Sequence, residues 1–397
     1  MASIHMRILY IHNYYLQAGG EDAAFQIEVD LLRQKGHEVQ TYEEHNSVIA
    51  TRNPLAVALD TIWSERSRTH LEGILKGFKP DIVHFQNTFP LVSPSAYYVS
   101  RSAGAAVVQT LQNYRLLCPV ATFYREGHVC TDCSGRIMAY PGVLRACYHN
   151  SRSRTAVIAS MLTLHHILGT WHHQIDAYIA LTQFAREKFI EGGFSPNRLY
   201  IKPNMISHDP VPAIGGGSFA LFAGRLTKEK GIRTLLSAWK GSAYPLKIIG
   251  DGPMKKEVLQ MLGNSSEYRS IEYLGELLRP SVFILMKKAD VLIFPSEWFE
   301  GFPLVIAEAL ACGLPVITSD IGSQAEIIRN GYSGLHFRSG DPDDLRTKVD
   351  WLLNHPDSQE KMGRNARKEY EEKYTPERNY QILLDIYARA IENRGRR

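Results

Sequence analysis

Residues 291–318, VLIFPSEWFEGFPLVIAEALACGLPVIT, predict one strand–loop–helix–strand unit. Residues 291–294 form a short run of Val, Leu, Ile and Phe, as in a strand buried on both faces. Residues 303–311 suit a helix with Pro303 in its first turn, where a missing amide hydrogen costs nothing. Gly313 then ends the helix and residues 315–318 resume as a strand. Apolar strands followed by helices argue for parallel sheets covered on both faces.

The same alternation runs outward along the chain. Before the midpoint, strands are expected at 8–12, 38–42, 82–86, 106–111, 177–181 and 199–202, with helices at 22–34, 93–102, 155–170 and 184–191. After it, strands are expected at 219–223, 246–249, 271–274, 291–294, 315–318 and 334–337. Helices there fall at 232–240, 253–262, 280–288, 303–311 and 342–354. The stretch 203–218 holds Pro203, Pro210, Pro212, Gly215, Gly216 and Gly217 and is expected to link two α/β domains. The expected bounds are 6–205, with a cysteine-containing insertion at 115–150, then 218–375, then a final helix over 376–397 ending in Arg394, Arg396 and Arg397. A length of 397 residues, with 44% hydrophobic and 22% charged residues, suits such a pair of globular domains and excludes a disordered or fibrous chain. The net charge of +4 does not mark a nucleic-acid binder. No uncharged apolar run reaches the ~18 residues of a membrane span, and no secretory leader is recognisable. Residues 1–5 are expected to be a vector-derived leader, with Met6 as the native start. A cytoplasmic location is expected, with the inner face of the membrane as its alternative.

Open parallel sheets bind ligands beyond the carboxyl ends of their strands. Three loops there carry chemistry. After the first strand, Gly19 and Gly20 precede a helix; they allow a backbone to approach an anion, or simply a tight turn. Gly224-Arg225-Leu226-Thr227-Lys228-Glu229-Lys230-Gly231 sets Arg225 and Lys230 before a helix, suited to a diphosphate or to a solvated turn. It lacks Walker spacing, and no GxGxxG occurs, which disfavours an NAD dehydrogenase. In residues 295–309, the amides of Phe302, Leu304 and Val305 are expected to point at a ligand. Glu300 lies in that loop. Glu308 lies among apolar neighbours, where a carboxylate needs a partner such as ribose hydroxyls, or else stands at a helix edge.

Glu300-Gly301-Phe302-Pro303-Leu304-Val305-Ile306-Ala307-Glu308 resembles the Glu-x7-Glu motif of retaining GT-B glycosyltransferases, more narrowly glycosyltransferase family 4. Gly224-Arg225-Leu226, Lys230-Gly231, Ile248-Ile249-Gly250-Asp251-Gly252-Pro253, residues 309–317, Asp320-Ile321-Gly322-Ser323 and Asn330-Gly331-Tyr332-Ser333-Gly334-Leu335 resemble that family in order. So do Gly19-Gly20, Asp81-Ile82-Val83-His84 and Asn113-Tyr114-Arg115-Leu116-Leu117-Cys118-Pro119. The resemblance implies a GT-B fold, two Rossmann-like doubly wound domains facing a central cleft. It implies a nucleotide sugar held by the second domain and a glycan or lipid-linked acceptor held by the first. Arg225 and Lys230 would contact the donor diphosphate, Glu308 the ribose, and Glu300 with the amides after Gly301 the sugar. Gly19, Gly20, Gly224, Gly252 and Pro303 would complete the donor site. No cofactor would be required, the two cations replacing a metal. A UDP-sugar is favoured because uridine is common in that family, and a role in surface polysaccharide synthesis is expected. Family relatives often carry His where this chain has Gln86 and Gln112; glutamine hydrogen-bonds a hydroxyl but takes no proton near neutral pH. A phosphorylase, an epimerase and an inactive nucleotide-sugar-binding homologue remain as alternatives.

Cys118, Cys130, Cys133 and Cys147 are candidate ligands of a structural zinc, with buried thiols or one redox pair as alternatives. Between Arg101 and Arg154 lie seven arginines, no lysine and two acids. An apolar segment with His165, His166, His172 and His173 nearby follows. The pattern fits a solvated basic face, or contact with a membrane surface.

Overall fold

The computed structural model describes residues 5–17, 19–213 and 216–395. Ala18, Gly215, Arg396, Arg397 and residues 1–4, on which some expectations above fall, lie outside the described residues. The strands, in chain order, are β1 (Arg7–Tyr14), β2 (Glu38–His45), β3 (Ile82–Phe85), β4 (Ala106–Leu111), the short β5 (Tyr124–Arg125) and β6 (His128–Val129), β7 (Ala177–Ala180) and β8 (Leu199–Ile201). They continue as β9 (Ala220–Ala223), β10 (Leu246–Ile249), β11 (Ile271–Gly275), β12 (Val291–Phe294), β13 (Val316–Ser319) and β14 (Gly334–Phe337). All twelve expected strands form. They make two six-stranded sheets, ordered β2-β1-β3-β4-β7-β8 and β11-β10-β9-β12-β13-β14. Every pairing within them is parallel. β5 and β6 form a separate antiparallel hairpin that the apolar pattern did not reveal.

The chain divides into two compact units. The first comprises 1–123, 131–204 and 376–397, the second 124–130 and 205–375. The hairpin thus groups with the second unit, although it lies within the stretch expected to be an insertion in the first. Residues after Met205 are also less linker-like than their prolines and glycines predicted. Arg367 holds the Asp209 carboxylate with Nη2 at 2.8 Å, and the Ala213 amide donates to the Cys312 carbonyl at 3.0 Å.

In the second unit, Phe222, Leu235, Trp239, Ile248, Ile293 and Phe337 share one buried core between sheet and helices. Helix Leu304–Cys312 is apolar apart from Glu308 and almost wholly buried, as a helix pressed on a sheet must be.

The first unit is closed by helix Pro376–Gly395, which packs on β4, β7 and helix Gly20–Gln34. It buries Asn379, Tyr380, Leu383, Ile386, Tyr387 and Ala390, one stripe at helical spacing. A polar seam ties it down. Lys202 Nζ, fully buried, donates to Glu28 Oε2 at 2.7 Å and to Asn379 Oδ1 at 3.2 Å. Tyr10 Oη donates to Glu28 Oε1 at 2.6 Å. His84 sits between Tyr387 Oη and Thr110 Oγ1, at 2.8 and 2.7 Å. Burial opposes ionisation of Glu28, but Lys202, His84 and Tyr10 outweigh it and hold the carboxyl below its ordinary range.

Candidate functional site

In the second sheet, β9 lies between β10 and β12, so the connections leave in opposite directions there. The crevice at such a switch point is where open α/β sheets bind ligands. The loop after β9 carries Gly224 to Gly231, and the loop after β12 carries Pro295 to Pro303. Backbone bonds join the two: the Glu297 amide donates to the Glu229 carbonyl at 2.8 Å. The closeness explains Gly231, which has φ +70°; a Cβ there would lie 1.8 Å from the Pro295 carbonyl oxygen. Gly250 has φ +135°, and its Cβ would fall 1.9 Å from the Gly224 carbonyl oxygen. Gly252 approaches Leu226 in the same way. Gly224 itself does not need to be glycine for packing, because a Cβ would meet the Phe222 ring at an ordinary 3.5 Å.

Glu300 is buried at the end of the second loop. Its Oε1 accepts from Lys230 Nζ at 2.7 Å and from Ser296 Oγ at 2.6 Å. Lys230 Nζ also lies 5.6 Å from the Phe294 ring centre and 5.5 Å from that of Trp298. The expected diphosphate contact is therefore already paired with the expected sugar-binding carboxylate. Arg225 differs: it is exposed, with no side-chain hydrogen bond or ion pair among the described residues. Glu297 is held by Thr234 Oγ1 at 2.5 Å, and its burial raises its pKa above the ordinary carboxylate range.

Helix Leu304–Cys312 starts one residue later than expected, with Pro303 as its extended N-cap. No side chain caps it, so the amides of Leu304 and Val305 have no acceptor within the helix. Phe302 is buried against Tyr374, ring centres 5.6 Å apart. Gly301 and Val305 are half-buried. Glu308 does have the partner its apolar setting demanded: Arg279 Nε donates to its Oε1 at 2.6 Å. Sequence reasoning missed Arg279. Its position after β11, another carboxyl-end loop, was the available signal.

The first unit presents a second polar set at the carboxyl ends of β1, β3 and β4. Gly19, in extended backbone, precedes helix Gly20–Gln34 and donates its amide to Asp22 Oδ2 at 2.9 Å. Asp22 Oδ1 meets His12 Nε2 at 2.7 Å. Glu21 Oε1 accepts from Asn113 Nδ2 at 2.7 Å, while burial raises its pKa against the lowering by Asn113 and His12. Gln112 exchanges two hydrogen bonds with Asn204, at 3.3 and 3.1 Å, so its amide is already engaged rather than open to a sugar. Glu21 Oε2, His12 Nδ1, Arg115 Nε and both polar atoms of Gln86 are buried without a partner. Buried polar atoms are rarely left so, and a ligand is one way to satisfy them.

Cys118 is buried and Cys130, Cys133 and Cys147 are half-buried. Among the described residues, no group of three or more His, Cys, Asp or Glu side chains is placed to hold a metal ion. Cys118 instead lies in a tight turn, its amide bonded to the Tyr114 carbonyl at 2.9 Å. No helix among the described residues is long and apolar enough to cross a membrane.

Residues 207–369 match the family model described as Glycosyl transferases group 1. An uncharacterized glycosyltransferase of Methanocaldococcus jannaschii is 30% identical over 53% of this chain and 59% of its own length. The D-rhamnosyltransferase WbpZ of Pseudomonas aeruginosa is 32% identical over 40% of this chain and 42% of its own. The chain thus spans about half the length of these curated relatives. Anabaena HepE, solved in complex with UDP, superposes with a TM-score of 0.66 at 15% identity, covering 96% of this chain and all of that one. That likeness shows the GT-B fold expected from the sequence.

Proposed function

We propose that the chain is a retaining glycosyltransferase that moves a sugar from a nucleoside-diphosphate sugar, a UDP-sugar by preference, to a glycan or lipid-linked saccharide. One observation carries this reading: the switch-point crevice of the second unit combines unpaired Arg225, the Lys230–Glu300 pair and Glu308 around an uncapped helix start. The family match over residues 207–369 supports it, as does the UDP complex of a protein with this fold.

In this proposal, the donor diphosphate meets Arg225 and the amides of Leu304 and Val305, where helix start and cation favour negative charge. Lys230 would turn part of its field from Glu300 to the leaving phosphate as charge develops. Arg279 fixes Glu308 through one oxygen, leaving the other for the ribose hydroxyls. Glu300, steadied by Ser296, would hold the sugar hydroxyls. The bond from the anomeric carbon to the β-phosphate oxygen breaks, and one to the acceptor oxygen forms on the same face. The acceptor proton passes to the departing phosphate, so no side-chain base is needed and Gln112 is no obstacle. Glu300 acts here by positioning and charge, and the cations serve where a metal would otherwise. The acceptor would lie on the first unit, where Glu21 and Gln86 hold unsatisfied polar atoms.

A thermal-shift panel of UDP, GDP, ADP, dTDP, CMP and NAD, on the wild type and Glu308→Ala, tests this. A ligand at ~100 times its dissociation constant adds about 2.7 kcal/mol. A shift with one nucleoside diphosphate, lost in the variant, is the expected result. A flat panel on folded protein would overturn the donor assignment.

A further inference from the structure

The second unit holds a cavity of about 410 Å³ between the second half of helix Pro342–Leu353, the first turns of helix Pro356–Lys373 and the turn before β14. The two helices pack on each other and on β14. Asn330 lines the cavity and precedes β14, which places it at the amino end of that strand, whereas the crevice with Lys230 and Glu300 lies at carboxyl ends. The volume falls in the range of ligand pockets, roughly 300–1,000 Å³. Buried Leu335 and Met362 close its inner side.

The rest of the lining carries chemistry that the fold does not use. Trp351 lines the cavity and is 40% exposed, although burying its ring would stabilise the fold. His355 stacks on it, ring centres 4.4 Å apart and planes 17° from parallel, and so steadies the indole as a platform. Lys348, three residues before Trp351, shares its helix face. Its one carboxylate partner among the described residues is Asp344 Oδ1, at 3.7 Å, and Asp344 already accepts from the Arg338 amide at 2.7 Å. Lys361, from helix Pro356–Lys373, is exposed and forms no ion pair or hydrogen bond among the described residues. Asn330 Oδ1 accepts from the His336 amide at 2.9 Å, which leaves Nδ2 to donate. Among the described residues, no acidic side chain lines the cavity.

An aromatic platform flanked by cations and an amide donor matches an acidic sugar. The C–H bonds of a pyranose ring carry partial positive charge and settle on the negative face of an indole. A carboxylate takes a lysine as a point charge, and sugar hydroxyls accept from the amide. We propose that this cavity binds an anionic saccharide, its uronate-type rings on Trp351 and its carboxylates at Lys348 and Lys361. The binding stands apart from the glycosyltransferase reading. Only the further step, that the cavity grips a remote part of an acidic glycan under extension, rests on that reading.

The test is calorimetric titration of the full chain with a galacturonate tetrasaccharide, beside maltotetraose, inorganic phosphate and UDP. The galacturonate is expected to bind, less tightly as salt rises, and maltotetraose far more weakly. Trp351→Ala should cut galacturonate affinity at least about tenfold, and Trp351→Phe should retain most of it. Lys348→Gln/Lys361→Gln should weaken binding and flatten its salt dependence. Circular dichroism should show each variant folded, and UDP affinity should not change, since the crevice around Lys230 and Glu300 is left intact. Absence of galacturonate binding, equal binding of maltotetraose, or Trp351→Ala binding like the wild type would overturn the proposal. So would displacement of the galacturonate by phosphate or UDP at equal concentration, which would mark the cavity as a phosphate or nucleotide site. Galacturonate binding without any nucleotide binding sinks the donor reading alone; the reverse sinks the saccharide cavity alone.

Discussion

Replacing Lys202 with methionine isolates the seam that fastens the final helix. Lys202 is fully buried and Glu28 is 3% exposed, so neither charge has water to fall back on. The substitution removes the 2.7 Å bond to Glu28 and the 3.2 Å bond to Asn379, leaving a buried carboxylate held by Tyr10. Stranding one charge of a buried pair costs about 3–5 kcal/mol. Glu28→Gln added to Lys202→Met removes the stranded charge, and at least about 2 kcal/mol should return as coupling. Because Asn379 lies on helix Pro376–Gly395, the loss should concentrate there. Amide exchange across that helix should accelerate by roughly two orders of magnitude or more in the single variant, where it proceeds through global opening. The pH response distinguishes charge from packing. In the wild type the Glu28 pKa is depressed, so its stabilisation is present above the ordinary carboxyl range and fades as pH falls through the folded value. Without Lys202, burial raises that pKa, so the deficit is largest near neutral pH and shrinks on acidification. Urea denaturation of the four proteins of the cycle across pH reads both effects. A single variant costing under about 1 kcal/mol, or a double variant no better than the single, would refute this account.

Gly231→Ala places a methyl group 1.8 Å from the Pro295 carbonyl oxygen in backbone of φ +70°. Left-handed backbone alone costs about 1–2 kcal/mol, and separation of the β9 and β12 loops should take the total to about 3 or more, seen as a lowered urea midpoint and weakened nucleotide binding. Arg279→Ala frees Glu308 from its 2.6 Å anchor. Calorimetric titration should show nucleoside-diphosphate affinity falling about tenfold, or about 1.4 kcal/mol, with a further loss when Glu308→Ala removes the ribose contact itself.

Most strands of the two sheets were legible because inner parallel strands are buried on both faces, and so read as apolar runs; the edge strand β2, largely polar and exposed, is not of that kind. Helices Pro54–Ile62, Glu65–Phe78 and Pro356–Lys373 were not legible. In the last, burial falls on Met362, Gly363, Ala366, Glu369 and Tyr370, too few apolar side chains for a visible stripe. β5 and β6, at two residues each, are shorter than any periodicity can reveal. At the site, Glu300 and Glu308 stood out from their loop and motif. Their partners Ser296 and Arg279 did not, because sequence distance hides a meeting between loops that leave different strands. Lys230 illustrates the same limit: its charge was plain, but its neutralisation by Glu300 came from the fold.

Helix Pro376–Gly395 also has a consequence for the order in which the protein is made. Its side chains complete the core of the first unit beside Tyr10 and His84, strands translated hundreds of residues earlier. On the ribosome, that unit must wait with one face of its sheet bare while the second unit is synthesised, and it closes only when residues 376–395 emerge.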